Sequence, residues 1–212
     1  IRFAQWQFRT PATRYVSNPG FPKNGDYSLF DFLDPAAARR FLSLVHERYL
    51  QTIGPEFGTT VMGFMGDETD CAPIPWTPRA FDEFQRIKGY GIQPHLPQLL
   101  SAEPTPEARR LQADYYDVWS ALLRESFFKT QSEWCAAHGL EYIVHLNSED
   151  NMKGLVRVSG DYFRAMRYVQ VPGVDAIWRQ IWPGAIADFP KFASSAAHLY
   201  GRPRAFTESF AV

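Results

Sequence analysis

Apolar and polar positions change period along this chain, and the changes divide it into strands and helices. Ile1-Arg-Phe-Ala-Gln-Trp-Gln-Phe8 alternates apolar with polar side chains, which predicts a strand. Residues 9–28 carry Pro11, Pro19, Gly20, Pro22 and Gly25 and predict a long loop. Asp34 suits an N-cap and Pro35 the first helical position, and Phe41, Leu44, Val45 and Tyr49 continue at helical spacing until Gly54-Pro55. Thr59-Thr-Val-Met-Gly-Phe-Met-Gly66 is a short apolar and β-branched run bounded by glycine. It predicts a strand buried on both faces, the type found in parallel sheets.

Thr77-Pro78 predicts a second helix, with Phe81, Phe84 and Ile87 on one face and Gly89 as its stop. After the proline-rich stretch 89–106, a long helix is predicted over about 107–138. Its apolar stripe is Leu111, Tyr115, Val118, Trp119 and Leu122. Leu140–Leu146 reads as a strand, 161–169 as a short helix and Pro172-Gly173 as a turn into strand 174–181. Helix 188–200 and strand Arg204–Phe210 complete the order. Strands alternating with helices predict an α/β fold with a parallel sheet and right-handed crossovers. No glycine-rich phosphate loop follows the first strand, so a (β/α)8 barrel suits the pattern better than a doubly wound sheet. About five of the eight βα units are present, and both ends fall inside apparent strands. Residues 1–212 are therefore expected to be an internal fragment of one barrel domain, truncated at both ends.

Composition narrows the function classes. The chain is 45% hydrophobic with a formal net charge of -1, so it has material for a core and no bias towards nucleic acid or an anionic membrane. No stretch reaches the roughly 18 apolar residues of a membrane span. Cys71 and Cys135 have no metal-ligand spacing and define no disulfide framework. Aromatic content is high, at 16%, and flat apolar faces with polar rims are what a carbohydrate site needs.

The candidate chemistry lies at the ends of the predicted strands. Asp67, Glu68 and Asp70 follow the 59–66 strand, and His145, Asn147 and Glu149 come from the next. Trp178 and Arg179, with Trp182 beyond them, belong to the third, and Glu208 lies on the last. In a barrel these C-terminal ends converge on one pocket. Adjacent carboxylates such as Asp67 and Glu68 repel when desolvated and have no structural use in a buried strand. Glu68 and Glu208 lie three strands apart, on opposing walls of such a ring. Glycoside hydrolysis needs a carboxylic acid to protonate the leaving oxygen and a carboxylate to activate water or to attack carbon, roughly 5–10 Å apart. Structural readings compete: Glu208 as the ion-pair partner of Arg179 or Arg204, His145 as a satisfied core histidine, and Glu149 as a loop acid. His46, His95, His138 and His198 read as structural.

Phe64-Met-Gly-Asp-Glu68, Trp76-Thr-Pro78, Gly89-Tyr-Gly91 and Leu96-Pro-Gln-Leu99 together resemble the barrel of α-L-rhamnosidase-type glycoside hydrolases. Trp134-Cys-Ala-Ala-His-Gly-Leu140 and Phe206-Thr-Glu-Ser-Phe210 extend the likeness, which covers roughly residues 29–212. The resemblance implies a large, multidomain, inverting hydrolase acting on oligo- or polysaccharides. It makes Glu68 the general acid and Glu208 the general base. Asp67, Asp70, His145, Asn147, Glu149, Trp178, Arg179 and Trp182 are then expected to bind substrate. No cofactor is required, although some members of the group carry an active-site calcium. Retaining barrel glycosidases of the β-galactosidase type would choose the same pair, with Glu208 as nucleophile. Two further alternatives are a glycan-binding barrel without catalysis and a metal-dependent hydrolase using Asp67, Asp70 and His145. The last lacks any His-x-His or His-Glu-x-x-His spacing.

Overall fold

The computed structural model describes residues 31–69, 71, 75–101, 103–177, 180–184 and 187–209. The expected strand Ile1–Phe8, the loop after it, and Asp70, Trp178 and Arg179 lie outside the described residues.

Capping chemistry decides where several helices begin. Helix α1 (Pro35–Leu44) starts where Asp34 accepts a hydrogen bond from the Ala36 N–H at 2.9 Å. The sequence suggests one helix through Tyr49, but the backbone breaks at Val45 and restarts as α2 (His46–Ile53). The break turns His46 into an aromatic cage, with ring centroids 4.2 Å from Phe64, 5.0 Å from Trp134 and 5.4 Å from Phe41. Strand β1 runs Gly63–Thr69, and α3 (Ala80–Lys88) ends at Gly89 with φ +79°, the left-handed turn that glycine permits. The short α4 (Leu96–Leu99) precedes α5 (Pro106–Leu123), which Thr105 caps through the Ala108 N–H at 3.3 Å. The long helix expected over 107–138 is present but interrupted by a π-turn, Arg124–Phe128, before α6 (Lys129–Ala137). At that turn the Ser126 hydroxyl donates to the Leu33 carbonyl at 2.8 Å, holding the chain before α1 against the helix.

Strand β2 (Glu141–Leu146) is followed by two short helices, α7 (Met152–Val158) and α8 (Tyr162–Met166). Asn151 and Asp161 cap them through the N–H groups of Gly154 and Arg164. The pattern predicts only the second. Strand β3 is Val171–Asp175, α9 is Pro190–Leu199 and β4 is Phe206–Glu208. The four strands form one sheet in the order β1-β2-β3-β4, and every neighbouring pair is parallel. This is the α/β architecture expected, a partial barrel with helices in each crossover. No helix among the described residues is long and apolar enough to cross a membrane.

Three strand boundaries differ from expectation. β1 starts four residues later than predicted, because residues 57–61 close a small turn in which Gly58 N–H donates to the Val61 carbonyl at 2.9 Å. It is not buried on both faces either, since Met65 is exposed. β3 lies earlier than predicted: Pro172-Gly173 is inside the strand. A Cβ on Gly173 would stand 1.9 Å from the Phe206 ring, so this glycine makes room for a neighbouring strand's aromatic. β4 is shorter than 204–210, and Arg204 before it pairs with Glu141 across the sheet, not with Glu208.

Strand register assigns each side chain to a face. Gly66 lies beside Val144, Val144 beside Pro172, and Val174 beside Thr207. Tyr142, Val144, Leu146 and Val174 pack into one core with Phe84, Trp119 and Phe128 from the helices. Their in-between residues, Met65, Ile143, Val171, Gly173 and Phe206, line the opposite face, the interior side of a barrel.

Candidate active site

The same register carries the interior face to its C-terminal rim. Continuing the alternation from Met65, Ile143, Gly173 and Phe206 gives Asp67, His145, Asp175 and Glu208 as the last layer. Four strands thus contribute one titratable side chain each. Below them the Phe206 ring lies 6.0 Å from the His145 ring and packs over Gly173.

β1 alone departs from regular alternation. Gly66 pairs with Val144 and Thr69 with Leu146, so three steps on β1 face two on β2. The extra residue forms a bulge in which Glu68 takes φ +28°, a region that side-chain-bearing residues rarely adopt. This lets two adjacent acids, Asp67 and Glu68, both serve the rim. A cavity of about 420 Å³ beside β1 is lined by Phe41, Tyr49, Phe64, Asp67, Glu68 and Gln131. Ser159 ties the rim together, since its hydroxyl donates to the Thr69 carbonyl at 3.0 Å and accepts from the Asn147 N–H at 3.4 Å. Tyr162 secures β3 by donating to the Gly173 carbonyl at 2.7 Å.

His145 is the centre of the layer and is 0% exposed. Its Nδ1 lies 3.0 Å from the Leu146 carbonyl oxygen, which only accepts, so Nδ1 carries a hydrogen. Nε2 lies 2.9 Å from Glu208 Oε2 and 3.2 Å from Asp67 Oδ1. Neither oxygen is aligned with the ring N–H direction, so the nitrogen sits between the two. Glu149 stands behind, 2% exposed, with Oε1 accepting the Leu146 N–H at 2.7 Å and lying 3.9 Å from His145 Nδ1. Burial pushes its carboxyl up to about 7. Asn147 occupies the turn, its Oδ1 accepting from Ser148 at 2.8 Å, and Trp182 is exposed in the loop after β3.

Asp175 is the residue that sequence reasoning missed. It is 5% exposed, beside Glu208 in register, and burial pushes its carboxyl up to about 6. Glu208, Glu68 and Asp67 add to that rise and His145 opposes it, so both glutamates of the expected pair act on this one group. A strand ending at Asp175 would have announced it, as β1 announces Asp67. The Pro-Gly turn signal moved that strand too far along the chain.

Asp67, His145 and Glu208 bring one ligand atom each within 4.8 Å of one another. Calcium takes six to eight hard oxygen ligands. Two carboxylates and an imidazole nitrogen do not make that set, so among the described residues this trio does not fit the calcium that the resemblance implies.

Comparison with known proteins bears on the fold and the family. A rhamnosidase from Novosphingobium sp. PP1Y superposes with a TM-score of 0.71 at 25% identity, over 92% of this chain and 19% of that one. A protein of Formosa agariphila named "Putative beta-glucuronidase" is 27% identical over 167 residues, which are 76% of this chain and 13% of that protein. The chain thus spans about a fifth or less of the length of the relatives it matches. The family model for alpha-L-rhamnosidase matches residues 17–212, nearly the whole sequence, and the chain belongs to that family.

Proposed function

We propose that this chain carries the catalytic face of a glycoside hydrolase that cleaves an α-L-rhamnoside-like O-glycosidic bond in an oligo- or polysaccharide. Glu68 is the general acid and Glu208 the general base. The observation that carries the reading is the rim itself: acids from β1 and β4 meet around one buried histidine, with Asp175 sensing both glutamates. In the reaction Glu68 gives its proton to the glycosidic oxygen as the bond to the anomeric carbon breaks. Glu208 takes a proton from the water whose oxygen attacks that carbon from the other side. The sugar leaves as the free hemiacetal, Glu208 ends protonated and Glu68 ionised, and exchange with solvent resets both.

Leaving-group dependence in the full-length enzyme tests the roles. With a sugar–sugar bond, Glu68→Gln and Glu208→Gln should each reduce kcat at least 100-fold. With an activated aryl glycoside, whose leaving group departs without a proton, Glu68→Gln should recover most of its rate and Glu208→Gln should not. Equal losses of Glu68→Gln on both substrates would remove it as the acid. A covalent glycosyl-enzyme trapped on Glu208 would make it a nucleophile and the enzyme retaining.

A further inference from the structure

His145 stands in the substrate site by position, yet its environment gives it different work. It is 0% exposed, and both ring nitrogens face protein atoms, so no sugar hydroxyl reaches it. Its tautomer is fixed by the Leu146 carbonyl, which requires a hydrogen on Nδ1. Nε2 then faces Glu208 Oε2 and Asp67 Oδ1 at 2.9 and 3.2 Å. Carboxylate oxygens and a bare ring nitrogen all offer lone pairs, and lone pairs at these distances repel. A hydrogen on Nε2, directed between the two oxygens, relieves that repulsion. The acids around this ring are Glu149 behind it, Asp175 beside it on β3, Glu208 on β4 and Asp67 on β1.

We propose that His145 is a positioning residue that holds one proton between Glu208 and Asp67, fixing the Glu208 carboxylate through Oε2 and leaving Oε1 as the atom that takes the proton from water. The proposal rests on the reading of Glu208 as the base. It differs from a substrate-binding role, because a residue acting through Glu208 changes turnover and leaves binding alone. Asp67 shares the proton on the other side, which gives the more exposed acid of the bulge a reason to sit beside the catalytic one. The buried proton also keeps the two carboxylates from repelling each other across the strand gap.

Two amide variants separate the nitrogens. Glutamine reaches the position of Nε2 with an N–H donor, whereas asparagine reaches only that of Nδ1. In the full-length enzyme with an aryl α-L-rhamnoside, His145→Gln should keep kcat within about tenfold. His145→Asn should lose about 100-fold, the low end of what a general base contributes, with KM within threefold. In a Glu208→Gln background His145→Asn should cost nothing more, because the group it serves is gone. Equal losses in the two amide variants, a loss carried by KM, or additive losses in the double variant would each overturn the proposal. A Glu208→Gln enzyme that keeps its rate would instead overturn the base assignment underneath. Should His145→Asn not fold, His145→Leu in the same cycle provides the comparison with Gln.

Discussion

At the scale of single residues, backbone conformation and chemistry conflict at Glu68. A side chain held at φ +28° costs roughly 1 kcal/mol, and such strain persists where function requires the geometry. Replacing Glu68 by glycine should raise stability by about 1 kcal/mol, seen as a higher unfolding temperature, while turnover falls as in Glu68→Gln. Glu68→Ala, which loses the same carboxylate without relieving the backbone, should show no gain. If the glycine variant is no more stable than the alanine one, the bulge is not strained. The strand-end positions of Asp67, Glu68 and Glu208 were legible from the sequence because acids beside apolar runs are conspicuous. The partner of Glu208 was not legible. Arg204, a near neighbour in sequence, pairs with Glu141, and a histidine 63 residues away in sequence takes its place.

At the scale of elements, the fit between β3 and β4 positions Glu208. Gly173 has no Cβ because the Phe206 ring occupies that space, and Glu208 follows Phe206 two residues later on the same face. Gly173→Ala should cost about 1–3 kcal/mol as overpacking and should also reduce kcat, since displacing Phe206 moves Glu208. Phe206→Ala added to Gly173→Ala should recover part of the lost stability, a readout available from thermal unfolding alone. An unchanged unfolding temperature in Gly173→Ala would mean that the strands separate without cost. The helix start at Asp34 was readable because a cap is local: one side-chain oxygen and one nearby N–H decide it. The π-turn and the break before His46 were not. Each is set by what packs against it, Leu33 in one case and the Phe41–Phe64–Trp134 cage in the other.

At the scale of the whole molecule, two buried groups oppose each other in pH. Burial holds His46 down at about 4, below its ordinary 6.5, so the folded state prefers it neutral. Its contribution is fully present above pH 6.5 and is lost as pH falls from 6.5 through 4. Burial holds Glu149 up at about 7, above its ordinary 4.5, so the folded state prefers it protonated. That contribution is fully present below pH 4.5 and is lost as pH rises from 4.5 through 7. Each amounts to about 3 kcal/mol at most, at 1.36 kcal/mol per pKa unit. Loss of the His46 contribution is therefore expected on the acid side, and loss of the Glu149 contribution, together with that of Asp175, which burial holds up at about 6, on the alkaline side. His46→Phe should flatten the acid side and Glu149→Gln the alkaline side, both measurable as unfolding temperature against pH. Parallel slopes for variant and parent would show that these groups titrate alike folded and unfolded. The sequence by itself determined the alternation of strands and helices, hence the parallel sheet, because period and capping are local properties of the chain. It also placed acids at strand ends, because charge beside an apolar run is conspicuous. Only the tertiary structure decided which acids meet. Register, a one-residue bulge and the fit of an aromatic ring over a glycine are set between strands distant in sequence, and they brought His145 and Asp175 to Glu208.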